Sequence, residues 1–106
     1  MDSRLKSLLN LLKDSPNDGF LLFAIAKEYE GQEDFENALS YYEKLRSIDQ
    51  DYVGLYFHLG ALYAELDDSD KAMEVYDQGI EIAIKIKDQH ALSELKGSKM
   101  NLELGL

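Results

Sequence analysis

The chain is predicted to be all-α, built from antiparallel helix-turn-helix repeats stacked as a short solenoid and closed by a C-terminal capping helix. Three observations predict this. First, a shift of about 34 residues, the spacing of a helix-turn-helix repeat, lays one stretch onto the next. Phe23 falls on Phe57, Tyr29 on Tyr63, Asp34 on Asp68, Ala38 on Ala72 and Tyr42 on Tyr76, while Ile25 becomes Leu59, Ala26 becomes Gly60 and Leu39 becomes Met73. Second, Leu22, Ile25, Ala26 and Tyr29 form one apolar helix face, repeated as Tyr56, Leu59, Gly60 and Tyr63. Third, one Pro in 106 residues and a helical period almost throughout argue for an all-α fold.

The elements follow in order. Residues 4–13 read as a short amphipathic helix with Leu5, Leu8, Leu9 and Leu12 on one side. Ser15, Pro16, Asn17 and Asp18 break it, and Asp18 suits the N-cap of the next helix, about 19–30. That helix should stop near Gly31 and Gln32, Gly31 being suited to a left-handed C-cap. After Glu33 and Asp34, a third helix buries Phe35, Ala38, Leu39, Tyr42 and Leu45. A fourth, about 52–65, carries Tyr56, Leu59, Gly60, Tyr63 and Leu66. A fifth begins at the run Asp67, Asp68, Ser69, Asp70 and buries Ala72, Met73, Tyr76, Ile80 and Ala83. It overruns to Asp88, since Ile82, Ile84 and Ile86 offer no breaker. The last helix, about 89–103, places Leu92, Leu95 and Leu102 on one side, with Gly97 in its middle. Loops this short make consecutive helices antiparallel neighbours. Ala38 and Ala72 should be buried where helices cross.

These residues resemble the tetratricopeptide repeat family. Its motif places a large residue, an aliphatic, a small residue and Tyr down the first helix, then an aromatic, Ala, an aromatic and a small residue down the second. Leu22, Ile25, Ala26, Tyr29, Phe35, Ala38, Tyr42 and Leu45 fill one copy, and Tyr56, Leu59, Gly60, Tyr63, Ser69, Ala72, Tyr76 and Gly79 the next. Carried backwards, the register sets Pro16 at the closing Pro and Leu8 where Tyr42 and Tyr76 stand, so the first helix resembles the second half of a repeat. Carried forwards, it meets His90, Ser93, Glu94 and Gly97, as in a degenerate third repeat. The resemblance implies one domain over 1–106: a half-repeat helix at 1–17, repeats at 18–51 and 52–87, and a capping helix at 88–106. It also implies a right-handed superhelix whose first helices line a concave groove.

Composition narrows the function. The formal net charge of -10 disfavours nucleic acid and anionic membrane as partners, both of which attract Lys and Arg. Residues 28–81 hold fifteen acidic side chains against Lys44, Arg46 and Lys71, either as solvated helix backs or as a face selecting a basic partner. No Cys is present, hence no disulfide or thiol chemistry. Residues 1–12 lack the continuous apolar core of a signal peptide, and no run reaches the ~18 apolar residues of a membrane span, so a cytoplasmic location is expected.

No catalytic constellation is visible. His58 and His90 are the only histidines and have no acid-base partner at recognisable spacing. The acids at 67–70 suggest a calcium loop only superficially: counted from Asp68, its sixth and twelfth places hold Met73 and Gly79 rather than Gly and Glu. Helix capping accounts for them. A non-enzyme without cofactor or metal is expected, and the resemblance implies a module binding a peptide segment or helix of a partner protein, basic or hydrophobic. The alternatives are a self-associating module, as a homodimer, and an accessory subunit of an enzyme. Under the resemblance, Phe20, Phe23, Lys27, Phe57, His58 and Ala61 are the groove candidates. Phe23 and Phe57 lie one place off the packing stripe, which puts their rings either in the groove or under the first and last helices as core. The family's carboxylate clamp, which uses Lys, Asn and Arg, finds only Lys27 at the inner positions.

Overall fold

The structure is a computed structural model describing residues 3–106. It contains six helices and, among the described residues, no strand: α1 Ser3–Asp14, α2 Gly19–Gly31, α3 Phe35–Ile48, α4 Gly54–Glu65, α5 Ser69–Ile86 and α6 Gln89–Glu103. They fall into two compact units, one ending at Tyr52 and the other beginning at Val53.

In the first unit α2 packs on both α1 and α3. Leu22, Ile25 and Ala26 of α2 meet a buried Ala38, Tyr42 and Leu45 on α3, the stripes their 3.6-residue spacing predicts. Leu5 is the buried anchor of α1. In the second unit α4, α5 and α6 each pack on the other two. Being covered from two sides explains why α4 is apolar around most of its circumference: Leu55 and Leu62 are buried as well as Tyr56, Leu59, Gly60 and Tyr63. Ala72 is buried on α5 as expected, and Val75 and Ile82 join it. Leu66, predicted to extend the stripe of α4, is largely exposed, because the helix ends at Glu65.

The turns repeat with the helices. Asp34 N–H donates to Tyr29 O, Asp68 N–H to Tyr63 O and Asp88 N–H to Ala83 O, each at 2.9 Å, closing the preceding helix with the six-to-one bond of a Schellman motif. The Asp then caps the next helix: Asp34 Oδ1 accepts from Asn37 N–H at 3.3 Å, Asp68 from Lys71 at 3.2 Å and Asp88 from Ala91 at 2.9 Å. Asp18 caps α2 in the same way, through Leu21 N–H at 3.2 Å.

Gly31 does not take the left-handed step expected of it. It stays helical, and the step falls two residues later at Glu33 (φ 60°), as it does at Asp67 (φ 61°) and Lys87 (φ 63°). The bond back to Tyr29 and the capping Asp together determine which residue turns, whatever its side chain. Each non-Gly residue held there costs about 1 kcal/mol. α4 starts at Gly54 rather than at 52; the Tyr52 ring lies against Phe23, and Val53 stands at the cap with no side-chain bond.

Gly97 lies in the middle of α6, exposed, and a Cβ there would touch nothing within 4 Å. Gly97→Ala is therefore expected to raise stability by roughly 0.5–1 kcal/mol, read as a thermal midpoint a few degrees higher.

Candidate peptide-binding clefts

The apolar stripe of α2 faces the core, and a second row at the same helical spacing faces away. Phe20, Phe23, Ala24, Lys27 and Gly31 run along it and, with Arg4 and Glu28, line a cleft of about 430 Å³ within the first unit. Three of the six candidate residues meet here. Phe20 is 69% exposed. Phe23 is half-buried: its ring packs edge-on to Tyr42 at 6.0 Å between centroids and tilted to Tyr52 at 5.3 Å, while it also borders the cleft. The Lys27 ammonium stands 5.7 Å from the centre of the Phe23 ring, within reach of a cation–π attraction.

Arg4 joins the two walls. Its Nε lies 2.8 Å from Glu28 Oε1, an ion pair between α1 and α2 with the Arg side chain 71% exposed. In that setting the pair contributes at most about 1 kcal/mol. The cleft carries Arg4 and Lys27 against Glu28, a positive excess in a chain of net charge -10.

Ala61 lines a separate cleft of about 300 Å³ within the second unit, with Ala64 and Glu65 of α4, Tyr76 of α5, and Ser98 and Leu102 of α6. Burial raises the pKa of Tyr76, and its hydrogen bond with Ser98 acts in the opposite direction. Phe57 and His58 border neither of these clefts. Both are half-buried, and their rings meet edge to face at 5.4 Å.

Arg4 and Glu28 were missed as cleft residues. The signal for Arg4 was present: one repeat before Ala38, it stands where a small residue belongs. Glu28 left no such mark, since its role depends on which helix α1 packs against.

Among the described residues no group of three or more His, Cys, Asp or Glu side chains is placed to hold a metal ion. His90 lies 3.6 Å from Glu94 one turn along α6, exposed on the surface. The most perturbed group is structural. Tyr42 is buried and its hydroxyl donates to Glu30 Oε1 at 2.7 Å; burial first, then that bond and the Glu30 charge, push its pKa far above the ordinary 10.0.

The sign of the consequence is definite. The unfolded chain releases the Tyr42 proton near pH 10 while the folded chain keeps it, so the unfolded state binds fewer protons there and stability falls as pH rises above 10. Ultraviolet titration should show as many tyrosines ionising before unfolding in the native chain as in Tyr42→Phe. One more in the native chain would mean that Tyr42 reaches solvent.

A profile described as tetratricopeptide repeat matches residues 30–92. No curated protein sequence matches the chain. Among solved structures, a tetratricopeptide repeat domain protein from Salinibacter ruber is 43% identical, with a TM-score of 0.78 over 81% of this chain and 97% of that one. A protein from Bordetella parapertussis aligns with a TM-score of 0.85 at 23% identity, over 99% and 91%. The TPR2B domain of yeast Sti1, solved as a complex with pHsp70, aligns with a TM-score of 0.88 at 15% identity, over 96% and 82%.

Proposed function

Because the chain belongs to the tetratricopeptide repeat family, whose domains mediate contacts between proteins, we propose that it is a non-catalytic interaction module capturing a hydrophobic peptide segment in the cleft of α2. The observation that carries this reading is Phe20, a large apolar side chain 69% exposed at the mouth of a cleft that also holds Phe23 and Lys27. Exposed aromatics beside a cavity anchor partners, each contributing about 2 kcal/mol or more when its surface is covered. The Sti1 domain, alike in fold, was solved with pHsp70; here the inner positions of α2 and α4 offer Lys27 and no Asn, which favours an apolar anchor over a clamped carboxylate. No helix among the described residues is long and apolar enough to cross a membrane, and a cytoplasmic partner belongs to the same reading. Phe57, His58 and Ala61 are read as accessory contacts.

Peptides selected from a displayed random library should bind the chain, and Phe20→Ser should weaken them by about tenfold or more with the melting temperature unchanged. A library that yields no binder, or binders indifferent to Phe20→Ser, would overturn the reading.

A further inference from the structure

The step into α2 carries a reactivity of its own. Asp18–Gly19 is the only Asp–Gly step in the sequence, and there is no Asn–Gly step. In such a step the side-chain carboxyl carbon and the next backbone nitrogen can close a five-membered ring, because Gly has no Cβ to hinder the approach. Gly19 takes no left-handed conformation. Packing is what selects it: a Cβ there would stand 3.3 Å from Cδ1 of the buried Leu45 and 3.4 Å from Cδ2 of Tyr52. The same fold restrains the step. Asp18 Oδ1 accepts from Leu21 N–H at 3.2 Å, which holds the carboxyl over the first turn, and the Asp18 carbonyl accepts from Leu22 N–H at 3.0 Å. With ψ at 111° the Gly19 nitrogen is turned away from the Asp18 side chain, whereas ring closure needs both on one side. Closure therefore waits for the first turn of α2 to open, and helix ends are where local opening costs least.

We propose that Asp18–Gly19 is an isoaspartate-forming site gated by the first turn of α2: the folded turn protects it, and opening of that turn exposes it to a lasting change of the main chain. The Gly19 nitrogen attacks Asp18 Cγ. A C–N bond forms, a C–O bond breaks, and the amide hydrogen leaves with the carboxyl hydroxyl as water. A water molecule then opens the ring at either carbonyl. Opening at Cγ restores Asp; opening at the main-chain carbonyl leaves isoaspartate, whose main chain runs through Cβ and Cγ. In that product the former main-chain carbonyl has become the free carboxylate, so the acceptors of Leu21 and Leu22 N–H are both displaced. The main chain is also one carbon longer just ahead of Phe20. The first turn then cannot close as before.

The test incubates the full chain for weeks at neutral pH and body temperature, folded and in concentrated urea. Isoaspartate is located by mass spectrometry after digestion with a protease that cuts before Asp and not before isoaspartate. In urea residue 18 should convert ahead of every other Asp, and about tenfold or more faster than in the folded chain. Gly19→Ala should slow conversion in urea by about tenfold or more, where folding plays no part. Tyr52→Ala, which removes the ring against Gly19, should speed conversion in the folded chain several-fold and leave the rate in urea as it is. Chain carrying isoaspartate at 18, once refolded, should exchange the Leu21 and Leu22 amide hydrogens faster than the parent. Equal rates in the folded chain and in urea overturn the proposal. So does conversion at Asp14–Ser15 or Asp68–Ser69 ahead of residue 18, and so does unchanged exchange at Leu21 and Leu22 in the modified chain.

Discussion

Gly60→Ala is expected to destabilise the second unit by about 1–3 kcal/mol, although the substitution favours a helix. In the interior of an exposed helix Ala is better than Gly by roughly 1 kcal/mol. At Gly60 a Cβ would stand 2.6 Å from Cδ1 and 2.8 Å from Cζ of Tyr76, closer than carbon atoms approach. The ring cannot step aside without loss, because Tyr76 is buried and its hydroxyl is bonded to Ser98. Overpacking therefore outweighs propensity. Gly97→Ala provides the control: same substitution, same kind of helix, open space, opposite sign. Urea unfolding of the two variants should move the midpoint in opposite directions, and Tyr76→Leu introduced with Gly60→Ala should recover part of the loss. A Gly60→Ala chain more stable than the parent would mean that α4 and α5 do not approach at this point.

Removal of residues 89–106 is expected to abolish cooperative melting of the second unit. α6 is attached by several contacts at once. Leu95 is 1% exposed, and the Lys99 ammonium lies 2.7 Å from Asp77 Oδ1, a bond that raises the Lys99 pKa. Ser98 bonds Tyr76, and Leu92 and Leu102 are half-buried. Burying Leu95 alone contributes roughly 1.5–3 kcal/mol, and with the two partly covered leucines the total approaches the whole stability of a small domain. The single substitution Leu95→Ala should lose about 2–5 kcal/mol in the full chain. Hydrogen exchange would report the deletion directly, as amides of α4 and α5 that lose protection. A shortened chain that melts like its parent would make α6 a free arm rather than part of the unit.

The framework of helices was legible because it is written in local spacing. Stripes such as Leu22, Ile25, Ala26 and Tyr29 need only the 3.6-residue turn to be recognised, and a cap such as Asp18 needs only an acceptor placed before a helix start. The turns were less legible: Glu33, Asp67 and Lys87 take left-handed conformations that none of those residue types announces. Their φ values follow from hydrogen bonds back to Tyr29, Tyr63 and Ala83, which form only once a helix has closed. The candidate site was half legible. Phe20, Phe23 and Lys27 share one face of one helix, and it was the resemblance to the repeat family that marked this face as a groove. The Arg4–Glu28 ion pair joins α1 to that helix, and a pairing between helices is not expressed by the period of either one.

By itself, then, the amino-acid sequence determined the helices, their order, the 34-residue repeat and most of the repeat-core positions that are buried, because these depend on backbone geometry and on apolar side chains leaving water. Tertiary structure alone decided how far each face is covered. Leu11 and Leu45 are one repeat apart and both leucines, yet one is 56% exposed and the other fully buried. Gly60 and Gly97 are both helical glycines, yet only one lies against an aromatic ring. Coverage depends on which neighbour arrives and at what distance, and that is a property of the packed helices rather than of any single segment.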